Sequence, residues 1–257
     1  EEGITDQPTA DGCQILIGEI DGSMIPIVKV GEKADDKRKN KTLQWKEARL
    51  CLVHKVGSTT PIFGATFSGT VADAGKQLYD CAVQAGFGKG TKLHAVGDGA
   101  TWIADQIDEQ FGAQGSYLID FYHICDYLAA AAKPCAPMNE KAWLDKQKEL
   151  LKQNDYQRVL DELDAFLEAD TIESQNAPVR ACHRYIKNRP HQLDYSAALA
   201  QGLPIGSGEI ESAHRYIIQQ RLKLPGAWWT PDNVDSMLAL RIIRANNKWD
   251  EYWNQQR

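Results

Sequence analysis

The chain has no long apolar run. No stretch approaches the roughly 18 consecutive apolar residues of a membrane-spanning helix. The first residues also lack the basic-then-apolar pattern of a secretory signal peptide. We therefore predict a cytoplasmic protein without a membrane partner. The chain begins at Glu1 rather than at a methionine, so we expect it to be a piece of a longer protein.

Closely spaced cysteines are missing as well. No two of the six cysteines form a Cys-x-x-Cys pair, and they are spread over the chain at Cys13, Cys51, Cys81, Cys125, Cys135 and Cys182. This spacing does not match the usual zinc-binding or redox motifs. Reduced thiols in a cytosolic protein are the simplest interpretation.

Positive charge is in deficit. The chain has 29 Lys and Arg against 35 Asp and Glu, which gives a net charge of −6. This balance argues against nucleic acid as a partner, because phosphate binding draws on Lys and Arg. Two possibilities keep nucleic acid open: metal-binding carboxylates add acid to a nuclease site, and a separate basic domain can supply the DNA affinity. The basic segment 37–41 (KRKNK) is best interpreted as part of a solvated loop.

Hydrophobic periodicity predicts an α/β chain. Short runs rich in Ile, Leu and Val indicate strands, and apolar residues spaced by three or four indicate helices. The predicted strands are Cys13–Ile20, Met24–Val30, Ala48–Val56, Ile62–Phe67, Thr91–Val96 and Ser116–Phe121. The predicted helices outside the central region are Val71–Ala85, Trp102–Phe111, Glu209–Leu224 and Pro231–Asn246.

The order of these elements predicts the kind of sheet. Asp21-Gly22 has the composition of a turn, so we expect it to join the first two strands into a hairpin. Strands in antiparallel-looking succession are followed by strand–helix–strand units, and residues 122–199 are helical in pattern. This order is typical of a mixed sheet with flanking helices.

Two aspartates follow apolar strands. Asp21 and Asp98 each come directly after a predicted strand, and ligands gather beyond strand ends in open α/β sheets. If the two strands are neighbours, these carboxylates could share Mg²⁺, which prefers hard oxygen ligands. The alternative is that each is a turn residue, since Asp-Gly is common after a strand. A metal site therefore needs a third ligand.

An acidic pair near the glycine-rich segment 206–208 supplies the third candidate. Glu209 and Glu211 point about 200° apart on a helix, so both cannot face one metal pair. If Ser207 is the N-cap, the helix dipole alone accounts for Glu209. Glu211 lies deeper and shares a predicted face with Arg215 and Ile218. We therefore predict that Glu211 is the ligand.

Five segments in order carry a resemblance to a known class of enzyme. They are IGEIDGSMIPI, HAVGDGATWIADQI, YLIDFYHICDYL, LPIGSGEIESAHRYIIQQRLKLPGAWW and LALRIIRANNKWDEYW. Together they resemble bacterial insertion-sequence transposases of the DDE class, from about residue 13 to the C-terminus. Each segment alone is weak, but five in the right order make the resemblance specific.

The resemblance implies a fold, a chemistry and partners. It implies a ribonuclease-H-like mixed sheet with flanking helices and an all-helical insertion before the last acid. It carries over Asp21, Asp98 and Glu211 as the catalytic acids that hold two Mg²⁺ or Mn²⁺ ions. The implied reaction is DNA cleavage and strand transfer at insertion-sequence ends. The partners would be double-stranded transposon-end and target DNA and further copies of the chain, as a dimer or larger oligomer at the bacterial nucleoid.

The same resemblance divides the chain. We expect residues 1–12 to be a tail and residues 13–121 to be the first part of the ribonuclease-H-like core. Residues 122–200 would be the helical insertion, and residues 201–257 the final core helices with the third acid. An N-terminal DNA-binding region, which such transposases usually have, is not recognisable in this sequence.

Asp120 and His123 resemble a [Cys/Asp]-x-x-His motif that many transposases of this class carry. In that interpretation His123 contacts phosphate or orients a carboxylate. The alternative is structural: Asp120 caps the following helix and His123 packs beneath it. The residues alone leave both open.

A basic strip precedes two tryptophans. Arg215, Arg221 and Lys223 have no acid between them, and Trp228-Trp229 follow. Arginine with exposed aromatic rings suits contact with a DNA backbone and bases. The alternative is a solvated helix face beside two core tryptophans, which we prefer for the tryptophan pair, whereas we assign Arg221 to DNA.

Two other functions remain open. A structure-specific nuclease would use the same acids without strand transfer. A domesticated, inactive DNA-binding or scaffold protein would keep the fold without the metal. Metal binding separates both enzymes from the scaffold, and a strand-joining assay separates the two enzymes.

Overall fold

The computed structural model describes residues 12–30 and 41–256, and the side chain of Val30 is not described. The predicted tail, apart from Gly12, lies outside these residues, as does the basic segment 37–41 apart from Lys41. The chain divides into two compact units. Unit 1 takes in the described residues of Glu1–Ala95, Thr101–Ser116 and Gly208–Arg257, and unit 2 consists of Val96–Ala100 and Tyr117–Ser207.

One five-stranded mixed sheet confirms the α/β class. Its strands in chain order are β1 (Ile15–Val30), β2 (Lys41–Lys55), β3 (Ile62–Thr66), β4 (Lys92–Gly97) and β5 (Gly115–Ile119). The order across the sheet is β3-β2-β1-β4-β5, so β1 and β4 are neighbours although two strands separate them in the chain. β2 pairs antiparallel with both β1 and β3.

The predicted hairpin at Asp21-Gly22 is wrong. β1 runs unbroken through this dipeptide, with Asp21 opposite Leu50 and Gly22 opposite Arg49 on β2. The long antiparallel pairing outweighs the local preference of Asp-Gly for a turn, because every residue of the ladder adds cross-strand bonds and contacts. Glu47 covers Gly22 so closely that a Cβ there would collide with its carboxylate.

Helices account for most of the remaining chain. In order they are α1 (Val71–Gln84), α2 (Thr101–Phe111), α3 (Phe121–Cys135), α4 (Glu140–Lys152), α5 (Tyr156–Asp164), α6 (Pro178–Lys187), α7 (Tyr195–Ala200), α8 (Gly208–Ala213), α9 (Gln220–Leu222), α10 (Pro231–Ala245) and α11 (Trp249–Gln255). A π-helix, His214–Gln219, joins α8 to α9. Within the part of the chain that is described, no helix is long and apolar enough to cross a membrane.

In unit 1, helices pack on both faces of the sheet. Alternate β2 residues face opposite sides. On one side, the Cys51 sulfur lies with that of Cys81 on α1 against Gly64. On the other side, Leu50 and Leu52 share a core with α8, the π-helix and α10. The α1 helix begins with a capping box, which satisfies donors at its first turn.

Unit 2 contains the helices of the predicted insertion. α3 packs against α4 and α6, and α5 packs against α4 and α6. These helices are amphipathic, and their apolar faces meet in a core that includes Leu128, Leu151, Leu163 and Ile186. The helical pattern of residues 122–199 therefore follows from amphipathic periodicity, which is a local property of the sequence.

All six cysteines are free, and five are buried. Burial raises the pKa of Cys125 and of Cys135 to about 11, and it also raises the pKa of Cys182. A thiol with a pKa near 11 is only about 0.1% thiolate at pH 8, and the thiolate is the reactive form.

We expect Ellman's reagent at pH 8 to modify half-buried Cys13 rapidly in the native protein and every cysteine after denaturation. Cys13→Ser should remove the fast phase, and several fast-reacting thiols in the native protein would contradict this burial pattern.

Candidate functional site

Two acids lie on one face of β1 in unit 1. Glu19 and Asp21 are two residues apart, so their side chains project to the same side of the strand. Glu19 is only 1% exposed, and its carboxylate accepts a hydrogen bond of 2.7 Å from the backbone N–H of Ile210. The Asp21 carboxylate lies 3.2 Å from Nε2 of His214 and is partly exposed. The segment that follows the glycine-rich break therefore packs onto the acidic face of β1.

His214 is a functional candidate that sequence reasoning missed. It is 5% exposed, and neither ring nitrogen has hydrogen-bond geometry with any described residue, although Nε2 approaches Asp21. It begins the π-helix, a rare element that is frequent at functional sites. A usable signal was present: His214 lies three residues after Glu211, in the same segment that carries the sequence resemblance.

Glu209 has a partner of its own. Its carboxylate lies 3.2 Å from Nε2 of buried His54 on β2, and its side chain is half-exposed. The contact with His54 therefore gives Glu209 a structural role in addition to its interaction with the helix dipole. Glu211 is exposed, and among the described residues its carboxylate forms neither a hydrogen bond nor an ion pair. Of the two acids, Glu211 has the carboxylate that is free to bind an added ligand.

The predicted shared face of Glu211, Arg215 and Ile218 is wrong. Glu211 and Arg215 are exposed, whereas Ile218 is fully buried in the core of unit 1. The expectation assumed an unbroken α-helix. The π-helix His214–Gln219 hydrogen-bonds five residues apart, so the residues beyond its start are rotated relative to α8.

The predicted DNA-binding cations have different environments. Arg215 and Arg221 are exposed, and the Arg221 guanidinium lies 5.4 Å from the centroid of the Trp229 ring. Lys223 is half-buried and donates a 2.7 Å hydrogen bond to Oγ of Ser23 on β1. Burial lowers the pKa of the Lys223 ammonium, and the Asp21 carboxylate opposes this shift. Lys223 is therefore held against β1.

In unit 2, Asp98 follows β4 directly, as predicted. Its side chain is exposed and accepts a 2.9 Å hydrogen bond from the N–H of Ala100, which is a turn contact. Gly99 between them has φ +81°, a conformation that favours glycine. The backbone carbonyl of Asp98 accepts a 2.6 Å hydrogen bond from the Tyr185 hydroxyl. Asp98 is thus a turn residue at a strand end, with one carboxylate oxygen engaged.

Asp120 caps α3 and is 4% exposed. One oxygen accepts hydrogen bonds from the N–H groups of Tyr122 (2.6 Å) and His123 (3.1 Å). The other accepts from the N–H (2.7 Å) and hydroxyl (2.6 Å) of Ser207. The helix-capping interpretation of Asp120 is confirmed. Ser207, the residue directly before α8, donates two hydrogen bonds to the Asp120 carboxylate.

His123 is half-buried in an aromatic group of unit 2. Its ring makes edge contacts with Tyr127 and Tyr185, whose own rings stack at 4.3 Å between centroids. This packing is what the structural alternative predicts for His123. A role for His123 toward phosphate or a carboxylate stays a prediction.

The described residues contain no ready-made metal cage. Over residues 12–30 and 41–256, no group of three or more His, Cys, Asp or Glu side chains is close enough to hold a metal ion. The observed arrangement in unit 1 is an acid on β1 in contact with a buried histidine, one turn beyond an exposed glutamate. Such a site offers carboxylate oxygens and an imidazole ring.

Comparison with known proteins gives one family. No curated protein matches the chain. The model of an uncharacterised protein family, UPF0236, matches residues 87–255, which is more than half of the chain. The matched region includes Asp98, Asp120 and Glu211 and leaves out Asp21. The chain belongs to the uncharacterised protein family UPF0236.

Proposed function

We propose that this chain is the catalytic domain of a DDE-type transposase, with a ribonuclease-H-like core that cleaves and joins DNA with divalent metal. The observation that carries the proposal is the 3.2 Å contact between Asp21 and His214. It brings the helix of Glu211 against the strand of Asp21, although the two acids are far apart in the chain. The five-segment sequence resemblance supports the same pair of acids.

Strand order adds support for Asp98. A shared metal requires the strand that contains Asp21 and the strand that precedes Asp98 to be neighbours, and β1 and β4 are neighbours in the sheet. Asp98 belongs to unit 2 and enters the proposal through the resemblance and through its position directly after β4.

The donor set suits a hard cation. Asp21, Asp98 and Glu211 offer only carboxylate oxygens, which Mg²⁺ and Mn²⁺ prefer. Mg²⁺ usually keeps several waters and binds through one or two carboxylates plus substrate phosphates, so it does not require a complete cage of protein ligands. When bound, two such ions supply an activated nucleophile and stabilise the leaving oxygen of phosphoryl transfer.

The chain's own residues organise unit 1 around this chemistry. The buried Glu19 carboxylate anchors the start of α8 through the Ile210 N–H. His214 lies against one oxygen of Asp21 and restricts the orientation of that carboxylate. Lys223, bonded to Ser23, adds positive charge near Asp21. The contacts of Glu19 and His214 restrain the helix of Glu211 and the Asp21 carboxylate, and such supporting contacts determine how well a metal ligand is oriented.

DNA is the proposed substrate and partner. Arg215 and Arg221 are exposed and available to phosphate groups, whereas Lys223 is engaged with Ser23. Since the chain carries a net charge of −6, we expect it to bind DNA with low affinity and little sequence preference. Assembly into a dimer or larger oligomer on transposon-end and target DNA at the nucleoid completes the proposal.

Calorimetry with Mn²⁺ tests the metal assignment. We expect Asp98→Asn to weaken Mn²⁺ binding by about tenfold or more, because a ligand carboxylate loses its charge. The matched control is Asp108→Asn, which removes an exposed acid on α2. Equal Mn²⁺ affinity in the wild type and Asp98→Asn would remove Asp98 from the site. No Mn²⁺ binding by the wild type would favour the inactive DNA-binding or scaffold protein.

A strand-joining assay separates the two enzymes. A transposase should join the freed 3′-hydroxyl of a transposon end to target DNA in Mg²⁺. Cleavage without joined product would identify the structure-specific nuclease instead.

A further inference from the structure

Three arginines of unit 1 lie close together without an acidic partner. Arg241 and Arg244 are on α10, and Arg221 is on α9. Among the described residues, none of the three has a carboxylate oxygen within salt-bridge distance. This uncompensated positive charge is shared by interacting groups, since Arg244 and Arg221 both act on Arg241. It is consistent with an anionic ligand that supplies the missing negative charge.

Two of these arginines line an open pocket. Its volume is about 440 Å³, and its lining residues are Tyr216, Ile217, Gln220, Arg241, Arg244 and Ala245. The lining is mostly polar in kind, with two guanidinium groups, an amide and a phenol. All of these side chains can donate hydrogen bonds, which suits an anion better than an apolar ligand.

Arg241 is fixed in place by the π-helix. Its Nε donates a 3.2 Å hydrogen bond to the carbonyl of Ile217, and one terminal nitrogen donates to the carbonyl of Tyr216. A guanidinium has five N–H donors, so three remain for a ligand. Burial, together with the charges of Arg244 and then Arg221, lowers the pKa of Arg241. An anion in the pocket would relieve this repulsion.

The phenol of Tyr216 also remains a donor. Burial, and secondarily the Glu209 carboxylate, raises the pKa of its hydroxyl, so it stays protonated at neutral pH. The Glu209 carboxylate itself lies 3.2 Å from Nε2 of His54.

We infer that the pocket between the π-helix and α10, with Arg221 beside it, binds phosphodiester groups of a nucleic-acid backbone. Guanidinium groups match phosphate oxygens in geometry and charge. A backbone ligand also accounts for Arg221 on α9, which is close enough to act on Arg241 but does not line the pocket. The inference rests on the proposed function for the choice of DNA as the nucleic acid.

DNA binding at several salt concentrations tests the pocket. The experiment uses a short labelled duplex, fluorescence anisotropy and EDTA, so that cleavage does not contribute. Arg244→Gln and Arg221→Gln should each raise the Kd about tenfold at low salt. Each should also make the slope of log K against log salt shallower by about 0.9, because one phosphate contact is lost. The effect should be equal for transposon-end and scrambled duplexes.

The control removes the same charge elsewhere. Lys76→Gln replaces an exposed cation on α1 that pairs with Asp80, and it should leave both affinity and slope unchanged. Arg241 is kept intact, because its bonds to the π-helix would make its loss a folding defect. If the arginine variants have the same slope as the wild type and Lys76→Gln, the inference is wrong.

A second arm distinguishes backbone phosphate from a free anion. Calorimetry with inorganic phosphate should show no saturable binding at millimolar concentration. Saturable phosphate binding that Arg244→Gln abolishes, with DNA binding unaffected, would overturn the nucleic-acid assignment. Because all of these measurements omit metal, a failure of metal-dependent cleavage would count against the proposed function alone.

Discussion

Glu211→Gln should lower the rate of Mg²⁺-dependent DNA cleavage by at least about a thousandfold, which corresponds to about 4 kcal/mol of transition-state stabilisation. Glutamine keeps the shape of the side chain and removes the charge that a metal ligand needs. Glu211 is exposed and its carboxylate has no described partner, so its replacement should not disturb folding. Nicking of supercoiled plasmid in Mg²⁺ measures the rate.

Glu209→Gln is the matched control, two residues away on the same helix. Its carboxylate lies 3.2 Å from Nε2 of buried His54, and because the Glu209 side chain is half-exposed the contact is worth at most about 1 kcal/mol. We expect this variant to keep most of the cleavage rate. An inactive Glu209→Gln beside an active Glu211→Gln would exchange the roles of the two acids.

Asp120→Ala should destabilise the protein by about 3–5 kcal/mol. The substitution removes a helix cap, worth about 1 kcal/mol, and leaves the buried N–H and hydroxyl of Ser207 without their acceptor. Asp120→Asn should cost less, because its remaining oxygen can still cap α3 at Tyr122 and His123. Urea unfolding followed by circular dichroism gives the difference in unfolding free energy.

Asp126→Ala provides the comparison, since Asp126 is an exposed acid on the same helix. Its unfolding midpoint should differ little from that of the wild type. Equal midpoints for Asp120→Ala and Asp126→Ala would show that the Asp120 bonds contribute little, and would leave a functional role as the reason for this acid.

Local sequence determined most of the secondary structure. The predicted helix over 71–85 and the strands over 62–67 and 91–96 agree closely with α1, β3 and β4. These elements follow from apolar periodicity, from capping residues such as Thr70 and from glycines at their ends, all of which act over a few residues. The same local reasoning failed at Asp21-Gly22, where pairing with β2 decided that the chain continues straight.

The candidate site depended on both the local sequence and the tertiary contacts. Sequence by itself indicated the acids Asp21, Asp98 and Glu211, because the first two follow predicted strands and the third lies at the start of a predicted helix. It did not indicate their surroundings. Glu19 accepts a hydrogen bond from Ile210, 191 residues away, and no local pattern encodes a contact over that separation.

Tertiary structure alone decided which polar side chains have a partner in the folded chain. It placed His214 against Asp21, His54 against Glu209 and Ser207 against Asp120. It also assembled the arginine pocket, since the π-helix and α10 meet only when the core of unit 1 forms. Burial and pairing are properties of the packed chain: hydrophobic periodicity sets which face of each element turns inward, and only packing determines which distant element that face meets.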